Sequence, residues 1–216
     1  KHRFYRKVFC DSHLIFIAGN ESAKLAEALR EYENVEVVIW GYAESNKVRN
    51  LIEKKQAKYS RIEDGFIRSF GLGACHALPL SYVYDTSGAL YFDSRKPSQL
   101  EELLCTYDFA EDDLCRARSI IERLKALKIT KYNSKVLGGG SQLNVAEGIK
   151  SILCVGQVED DASIKYGGAD ILDNLMLVEK VKANNPEAVV YFRPHPDTIK
   201  GGRAVKSPLA LIAQHA

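Results

Sequence analysis

The sequence predicts an α/β protein made of two successive units, each with a parallel sheet covered by helices. Three observations support this prediction. Short runs of β-branched and aromatic residues alternate with stretches of helical spacing. The chain has 216 residues and is 46% hydrophobic, which is enough for a sizeable core. A glycine-rich stretch at 135–150, KVLGGGSQLNVAEGIK, predicts a boundary between residues 1–140 and residues 141–216.

The first unit is predicted to alternate strands with helices. The N-terminal KHRFYRK is predicted to be a solvated, frayed terminus; the alternative is that its basic residues contact anionic lipid headgroups. The helix at 111–128 is the clearest, because acids fill its first turn and lysines its last. The other predicted elements are strands LIFIAG (14–19), VEVVIWG (35–41) and AKYSRI (57–62), a hairpin of LSYVYD (80–85) with ALYFD (89–93), and helices at 22–33, 46–56 and 97–104.

The second unit is predicted to be short. Strand SILCVG (151–156), a helix at 170–185 capped by Asp170, and strand AVVYFR (188–193) leave room for only two strands and two helices. A doubly wound domain needs more strands than this. We therefore expect an incomplete C-terminal domain, either because the chain is a fragment or because a disordered part is missing from it.

Composition excludes several classes of function. A net charge of +2 does not suggest a nucleic-acid partner. No apolar run approaches the roughly 20 residues that span a bilayer, and no secretory signal is recognisable. The five cysteines are irregularly spaced without a CxxC pair, which favours reduced thiols over a zinc site. Cys154 is predicted to be a small core residue, and the protein to be cytoplasmic.

Three polar loops follow predicted strands. They are EDGFIRSFGLG (63–73), QVEDDAS (157–163) and PHPD (194–197). In open parallel α/β sheets, ligands bind beyond the carboxyl ends of the strands. The three loops are therefore the candidate functional site.

The residues in these loops allow catalytic and structural interpretations. Glu63 suits a general base. In the structural alternative, Glu63 and Asp64 pair with Arg61 or Arg68 at a surface turn. His195 lies between two prolines beside Arg193, which suits an anion such as phosphate, although a loop histidine is more often structural. The run Glu159–Asp161 indicates either surface solvation or catalysis.

A fourth segment with two interpretations follows the long helix. In TKYN (130–133), Lys131 could meet a phosphate and Tyr132 could stack on a sugar or base. Its structural alternative is a helix C-terminal region, with Asn133 in a left-handed turn.

These motifs, in this order, resemble the capsule polysaccharide biosynthesis family. The resemblance covers roughly residues 57–200 and includes EDGFIRSFGLG, the proline-led LPLSYVYDTSGALYFDSRKPSQLEELL, KYN, QVEDDASIKYGGAD and RPHPD. Family members include the retaining β-Kdo transferases of bacterial capsule and O-antigen assembly. The resemblance implies two Rossmann-like domains of GT-B type, with the C-terminal one incomplete, and transfer of Kdo from CMP-β-Kdo to a saccharide or lipid-linked acceptor. It also implies peripheral association with the cytoplasmic face of the inner membrane.

The resemblance also implies roles for individual residues. Asp161 matches the aspartate of a QxxxDxS motif and would be the nucleophile, and Glu63 would activate the acceptor. His195 would face the CMP phosphate. The resemblance implies donor binding by Gln157, Ser163, Lys131, Tyr132, Asn133, Arg193 and Pro196, and acceptor or cleft positions for Asp64 and Arg68. No metal or cofactor is expected, because the leaving group is a nucleoside monophosphate and CMP-Kdo is itself the donor substrate.

Two alternatives stay open at this point. One is another GT-B-like transferase acting on nucleotide-linked substrates, such as a glycerol-phosphate transferase. The other is a non-catalytic module that only binds a sugar nucleotide, which the short second unit favours.

Overall fold

The computed structural model describes residues 2–67, 81–129, 148–167, 170–199 and 206–214, with side chains from residue 5 onward. The chain forms two compact units. The first comprises Lys1–Tyr91 and Lys96–Gly138, and the second comprises Phe92–Arg95 and Gly139–Ala216.

The first unit contains a small mixed sheet in the order β1-β2-β3. Strands β1 and β2 are parallel, whereas β3 runs antiparallel to β2. Its elements are α1 (His2–Val8), α2 (Ser22–Glu31), β1 (Glu36–Trp40), α3 (Asn46–Lys55), β2 (Lys58–Asp64), β3 (Tyr82–Asp85), α4 (Gln99–Thr106) and α5 (Glu111–Ala126).

Helices α2 and α3 bury their apolar stripes against the sheet. Leu25 of α2 and Val48 and Ile52 of α3 form one buried cluster with Ile39 of β1. Helix α3 begins cleanly because the Ser45 hydroxyl accepts a hydrogen bond from the Val48 amide at 3.4 Å. The predicted α/β class is therefore confirmed, as are the helices at 22–33, 46–56 and 111–128 apart from their last residues.

Three predictions for the first unit are wrong. Residues 14–19 form no strand. Ile17 instead packs against the buried cluster formed by α2, β1 and α3. Residues 80–85 and 89–93 form no hairpin, since β3 pairs with β2 and residues 89–90 are buried in irregular structure. The basic N-terminus is helical rather than frayed, because Tyr5 packs against Phe16 and Trp40.

The second unit contains a two-stranded parallel sheet. Strand β4 (Ser151–Val155) pairs in register with β5 (Val189–Arg193). Its helices are α6 (Ala162–Tyr166), α7 (Asn174–Asn184), α8 (Pro196–Ile199) and α9 (Leu209–Ile212). The core consists of Cys154, Val178, Val190 and Ile212, so the predicted core position of Cys154 is confirmed.

Two predictions for this unit need correction. Helix α7 begins at Asn174 rather than 170, because Asp173 and not Asp170 caps it through the Met176 amide at 2.8 Å. The sheet is not buried on both faces, since Leu153, Val155 and Val189 alternate with the core residues and are exposed. Within the described residues, no helix is both long enough and apolar enough to cross a membrane.

A short segment from earlier in the sequence belongs to the second unit. This strap, residues Phe92–Arg95, bonds to the end of α6 through the Ser94 amide and the Tyr166 carbonyl at 2.9 Å. Arg95 forms a two-point ion pair with buried Asp93, 2.7 Å at each contact, and its guanidinium lies 4.0 Å from the Tyr166 ring centre. The strap therefore fixes the C-terminal end of α6.

Candidate active site

The acidic run after β4 divides into residues with different environments. Glu159 is buried and accepts three backbone hydrogen bonds, from Asn174 at 2.9 Å, Lys206 at 2.8 Å and Ser207 at 3.1 Å. Burial alone would raise the pKa of Glu159, but hydrogen bonds from Ser207, Asn174 and Lys206 outweigh it and hold the pKa below its usual 4.5. Glu159 thus ties α7 and the 206–207 segment to the loop after β4, whereas Asp160 is exposed.

Replacing Glu159 with glutamine is expected to destabilise the second unit by about 2–3 kcal/mol, because an amide nitrogen would face backbone donors and the charge would be lost. Amide hydrogen exchange of β4 and β5 measures this unit directly. The folded pKa lies below the unfolded value, so this stabilisation is present above pH 4.5 and disappears as the pH falls through the folded pKa.

The matched control for this prediction is Asp160→Asn, which removes one charge from the exposed neighbouring residue. It should change the protection of β4 and β5 by less than about 0.5 kcal/mol. Equal protection in both variants would contradict the anchoring role of Glu159.

Asp161 is the N-cap of α6 and directly precedes its first residue. Its Oδ1 accepts hydrogen bonds from the Ser163 amide at 2.9 Å and the Ser163 hydroxyl at 2.8 Å. Within the described part of the chain, Oδ2 takes no hydrogen bond. Since Ser163 holds one carboxylate oxygen, the other has a defined direction and remains available to a ligand.

The β5 loop begins beside the β4 loop. Val155 and Arg193 are the last register pair of the two strands, and the Gly156 amide donates to the Arg193 carbonyl at 2.8 Å. The loops carrying Asp161 and His195 therefore start at adjacent strand ends, as the sequence predicts for a parallel pair.

His195 has a defined tautomer. Its Nδ1 accepts a hydrogen bond from the Asp197 amide at 3.1 Å, so the proton of the neutral imidazole lies on Nε2. The His195 carbonyl accepts from the Thr198 amide and hydroxyl, and Pro196 begins α8. The ring thus presents an N–H donor, the group that a phosphate oxygen requires.

Asn174 is a structural contributor that the sequence did not indicate. This buried side chain accepts from the Gln157 amide at 2.8 Å and donates to the Gln157 carbonyl at 3.0 Å. The pair of bonds fixes the backbone of Gln157, whose side chain is exposed. No residue pattern at 174 distinguishes it from an ordinary first residue of a helix.

In the first unit, Glu63 and Asp64 end strand β2. Gly41 has φ +54°, and a Cβ there would lie 2.9 Å from Glu63 Oε2, so its lack of a side chain makes room for the carboxylate. Burial, together with the charge of Glu63, raises the pKa of Tyr5 to about 12. Glu63 is therefore a half-buried carboxylate beside glycine backbone and a phenol.

Arg61 pairs with Glu44 rather than with Glu63 or Asp64. Its guanidinium donates to Glu44 Oε1 at 2.8 Å, to the Gly41 carbonyl at 2.6 Å and to the Gly88 carbonyl at 2.8 Å. The predicted alternative, in which Arg61 neutralises the two acids at a surface turn, is thus wrong. Arg68, the second arginine considered as a partner of the two acids, lies outside the described residues. Lys131, Tyr132 and Asn133 also lie outside them.

The described ranges contain no group of three or more histidine, cysteine or acidic side chains arranged to hold a metal ion. Two aromatic residues beside the acids, Phe66 and Tyr91, are also exposed, and the sequence analysis gave them no role. The position of Phe66, directly after Glu-Asp-Gly at a strand end, is a sequence signal that could have identified it.

The structure thus defines an α/β protein with carboxylates and a histidine at the carboxyl ends of its strands. Residues 35–136 match the sequence model of the family described as "Capsule polysaccharide biosynthesis protein". This match confirms the resemblance to that family noted from the motifs of the chain.

Two curated relatives extend this similarity beyond the matched region. The lipopolysaccharide-processing protein LpsZ of Rhizobium meliloti is 37% identical over 200 residues, covering 91% of this chain and 45% of LpsZ. The capsule polysaccharide modification protein LipA of Neisseria meningitidis serogroup A is 38% identical over 191 residues, covering 88% of this chain and 26% of LipA. The chain thus spans less than half the length of either relative.

Two solved structures share the fold. The β-Kdo 2,7 transferase of Thermosulfurimonas dismutans KpsC superposes with a TM-score of 0.66 at 27% identity, covering the whole of this chain and 61% of that one. The β-Kdo 2,4 transferase of the same KpsC gives 0.63 at 28% identity, covering 78% and 52% of the two chains.

Proposed function

We propose that this chain carries out retaining β-Kdo transfer, with a GT-B arrangement of two Rossmann-like domains. The donor is CMP-β-Kdo, and the acceptor is a saccharide or glycolipid of a capsule or surface polysaccharide. The observation that carries the proposal is the start of the Asp161 and His195 loops at adjacent strand ends. The likeness to two Kdo transferases at 27% and 28% identity supports the choice of sugar.

The first chemical step uses the free oxygen of Asp161. Oδ2 attacks the anomeric carbon of Kdo, the bond from that carbon to the phosphate oxygen breaks, and CMP leaves with the electron pair. Ser163 holds Oδ1, so the carboxylate does not rotate away from the reacting carbon. The Nε2 proton of His195 stabilises the charge that develops on the departing phosphate.

The second step restores the configuration. An acceptor hydroxyl attacks the same carbon from the side that CMP left, and the bond to Asp161 breaks. Glu63 removes the hydroxyl proton as the new bond forms. Two inversions give retention, and no metal or cofactor has a role in the proposal.

Because the proposed acceptor can be lipid-linked, we propose that the protein associates peripherally with the cytoplasmic face of the inner membrane. Arg6 and Lys7 of α1 are exposed and basic, which suits contact with anionic headgroups. CMP-Kdo and the saccharide or lipid-linked acceptor are the expected partners.

The proposal is tested with CMP-Kdo and a synthetic β-Kdo glycoside as acceptor. Product NMR reports both linkage and anomeric configuration, and a β-linked product is expected. A product formed only from CDP-glycerol would instead identify a glycerol-phosphate transferase. CMP binding without any product would indicate a non-catalytic module.

In the same assay, Glu63→Gln is expected to slow transfer about 10²- to 10⁴-fold, because the acceptor hydroxyl loses its general base. Hydrolysis of CMP-Kdo in the absence of acceptor should fall much less, since water reaches the intermediate without needing the same acceptor geometry. Comparing the initial rates of glycoside formation and CMP release measures both effects.

Glu53→Gln is the control, because it neutralises an exposed carboxylate on α3 that has no part in the proposed site. Its ratio of transfer to hydrolysis should stay within a few-fold of the wild-type ratio. If Glu63→Gln lowered both rates equally, the general-base assignment would be wrong.

A further inference from the structure

Two exposed aromatic rings meet beside the Glu63–Asp64 strand end. The Phe66 and Tyr91 side chains have ring centres 5.0 Å apart at an interplanar angle of 49°. Phe66 is 68% exposed and Tyr91 is 42% exposed. Rings that served only to pack against each other would gain from burial, yet most of the Phe66 surface faces solvent. We call this pair the aromatic platform.

Both rings stand on fixed backbone. On one side of Phe66, the Gly65 amide donates to the Ser81 carbonyl at 2.9 Å, and on the other the Ser81 hydroxyl donates to the Ile67 carbonyl. Before Tyr91, Ala89 and Leu90 are fully buried. A pair of exposed rings held on two anchored loops is preorganised to receive a ligand.

The surroundings of the platform define the chemistry of that ligand. Glu63 and Asp64 lie three and two residues before Phe66, respectively, and offer hydrogen-bond acceptors. Exposed Tyr82 is the cross-strand partner of Asp64, so a further ring and hydroxyl lie on the same face of the sheet as that carboxylate. A pyranose ring has an apolar C–H face for an aromatic ring and a rim of hydroxyls for carboxylates.

We propose that the aromatic platform is a saccharide subsite that binds a sugar ring of the acceptor beside Glu63. This inference rests on the proposed function and extends it, since it names the surface that holds the acceptor. The platform stacks on the C–H face of the ring, and Asp64 accepts hydrogen bonds from its hydroxyls. The ring bound there is oriented so that one hydroxyl can lose its proton to Glu63.

The test uses Phe66→Ala and Tyr91→Ala with the synthetic β-Kdo glycoside as acceptor. Each variant is expected to raise the acceptor KM about 10-fold, because a stacked ring is lost. The KM for CMP-Kdo and the rate of CMP-Kdo hydrolysis should not change. Phe66→Tyr should keep the acceptor KM near the wild-type value, whereas Phe66→Leu should not.

The chain offers a matched control in Tyr107 and Phe109. These rings are also exposed, with centres 4.9 Å apart, but they lie between α4 and α5 rather than beside the two acids. Tyr107→Ala and Phe109→Ala should leave the acceptor KM unchanged. Equal effects of Phe66→Ala and Phe109→Ala would overturn the proposal, as would a raised KM for CMP-Kdo alone.

A binding measurement separates this proposal from the proposed function. Saturation-transfer NMR with the β-Kdo glycoside detects binding without turnover. A signal that is strong in the wild type and lost in Phe66→Ala supports the subsite, even if no Kdo is transferred and the proposed function fails. A signal that Phe66→Ala leaves unchanged, or no signal from the wild type, overturns it.

Discussion

Replacing Asp161 with asparagine is expected to reduce Kdo transfer about 10⁴-fold or more, because the amide cannot form the covalent bond to the anomeric carbon. Asparagine keeps the shape of the side chain and an oxygen for the Ser163 amide and hydroxyl, so α6 should still begin at the same residue. The loss should appear in kcat and in CMP release alike, since the first step needs the nucleophile.

Alanine variants separate the chemical role of Asp161 from its role as a helix cap. Asp161→Ala removes both, and its loss of the cap should cost about 1 kcal/mol. Asp173 is a matched residue, because its carboxylate caps α7 in the same unit by accepting from the Met176 amide. Asp173→Ala should lose similar stability while keeping Kdo transfer within a few-fold of wild type.

Direct evidence would be a covalent adduct. With acceptor present, Glu63→Gln leaves hydrolysis as the main route by which the intermediate is lost, so mass spectrometry after a rapid quench should show one Kdo residue attached to Asp161. Wild-type rates in Asp161→Asn, or an adduct on another residue, would remove the nucleophile assignment.

The largest loss of stability is expected for Arg61→Met, about 3–5 kcal/mol. Arg61 is 4% exposed, and its guanidinium lies 3.9 Å from the centre of the Tyr42 ring as well as bonding to Glu44. Methionine would leave buried Glu44 with Arg49 as its remaining charged partner among the residues that the structure describes, and would strip hydrogen bonds from two carbonyls. Urea unfolding followed by fluorescence of Trp40, the single tryptophan, reports on this unit.

The control for Arg61→Met is Arg118→Met. Arg118 pairs with Glu111 on α5, but both side chains of that pair are exposed, so the variant should lose less than about 1 kcal/mol. Burial would raise the pKa of Glu44, yet its hydrogen bonds to Arg61 and Arg49 lower it. Converting both partners, as Arg61→Met with Glu44→Gln, should recover part of the loss. If Arg118→Met lost as much stability as Arg61→Met, or if the double variant recovered nothing, the Arg61–Glu44 pair would not be the source of the stability.

The sequence was most informative where a strand end meets a polar motif. SILCVG and AVVYFR become β4 and β5, and their parallel pairing places the loops of Asp161 and His195 at one sheet edge. This result follows from the period of the apolar residues and from the shared direction of parallel strands. Asp161, two residues before Ser163, also fits an N-cap pattern that could be read directly from the chain.

Other features depend on contacts between distant residues, which the local sequence does not encode. Glu159 and Asp161 are both acids in one run, but only the partners at 174 and 206–207 make Glu159 an anchor. Similarly, YVYD has the composition of a hairpin strand, while its pairing with β2 depends on residues about 20 positions away. The buried Arg61–Glu44 pair contradicts the ordinary expectation that such side chains stay solvated.

The Phe92–Arg95 strap means that neither unit corresponds to one uninterrupted stretch of sequence. A gene cut at residue 139 would yield a C-terminal piece whose α6 lacks its Arg95–Tyr166 stacking and its Ser94 hydrogen bond. Exchanging the two halves between homologous enzymes would join a helix to a foreign strap, so chimaeras should tolerate a junction only if residues 92–95 travel with the C-terminal half. A domain exchange in this chain must therefore follow the folded units and not the order of the sequence.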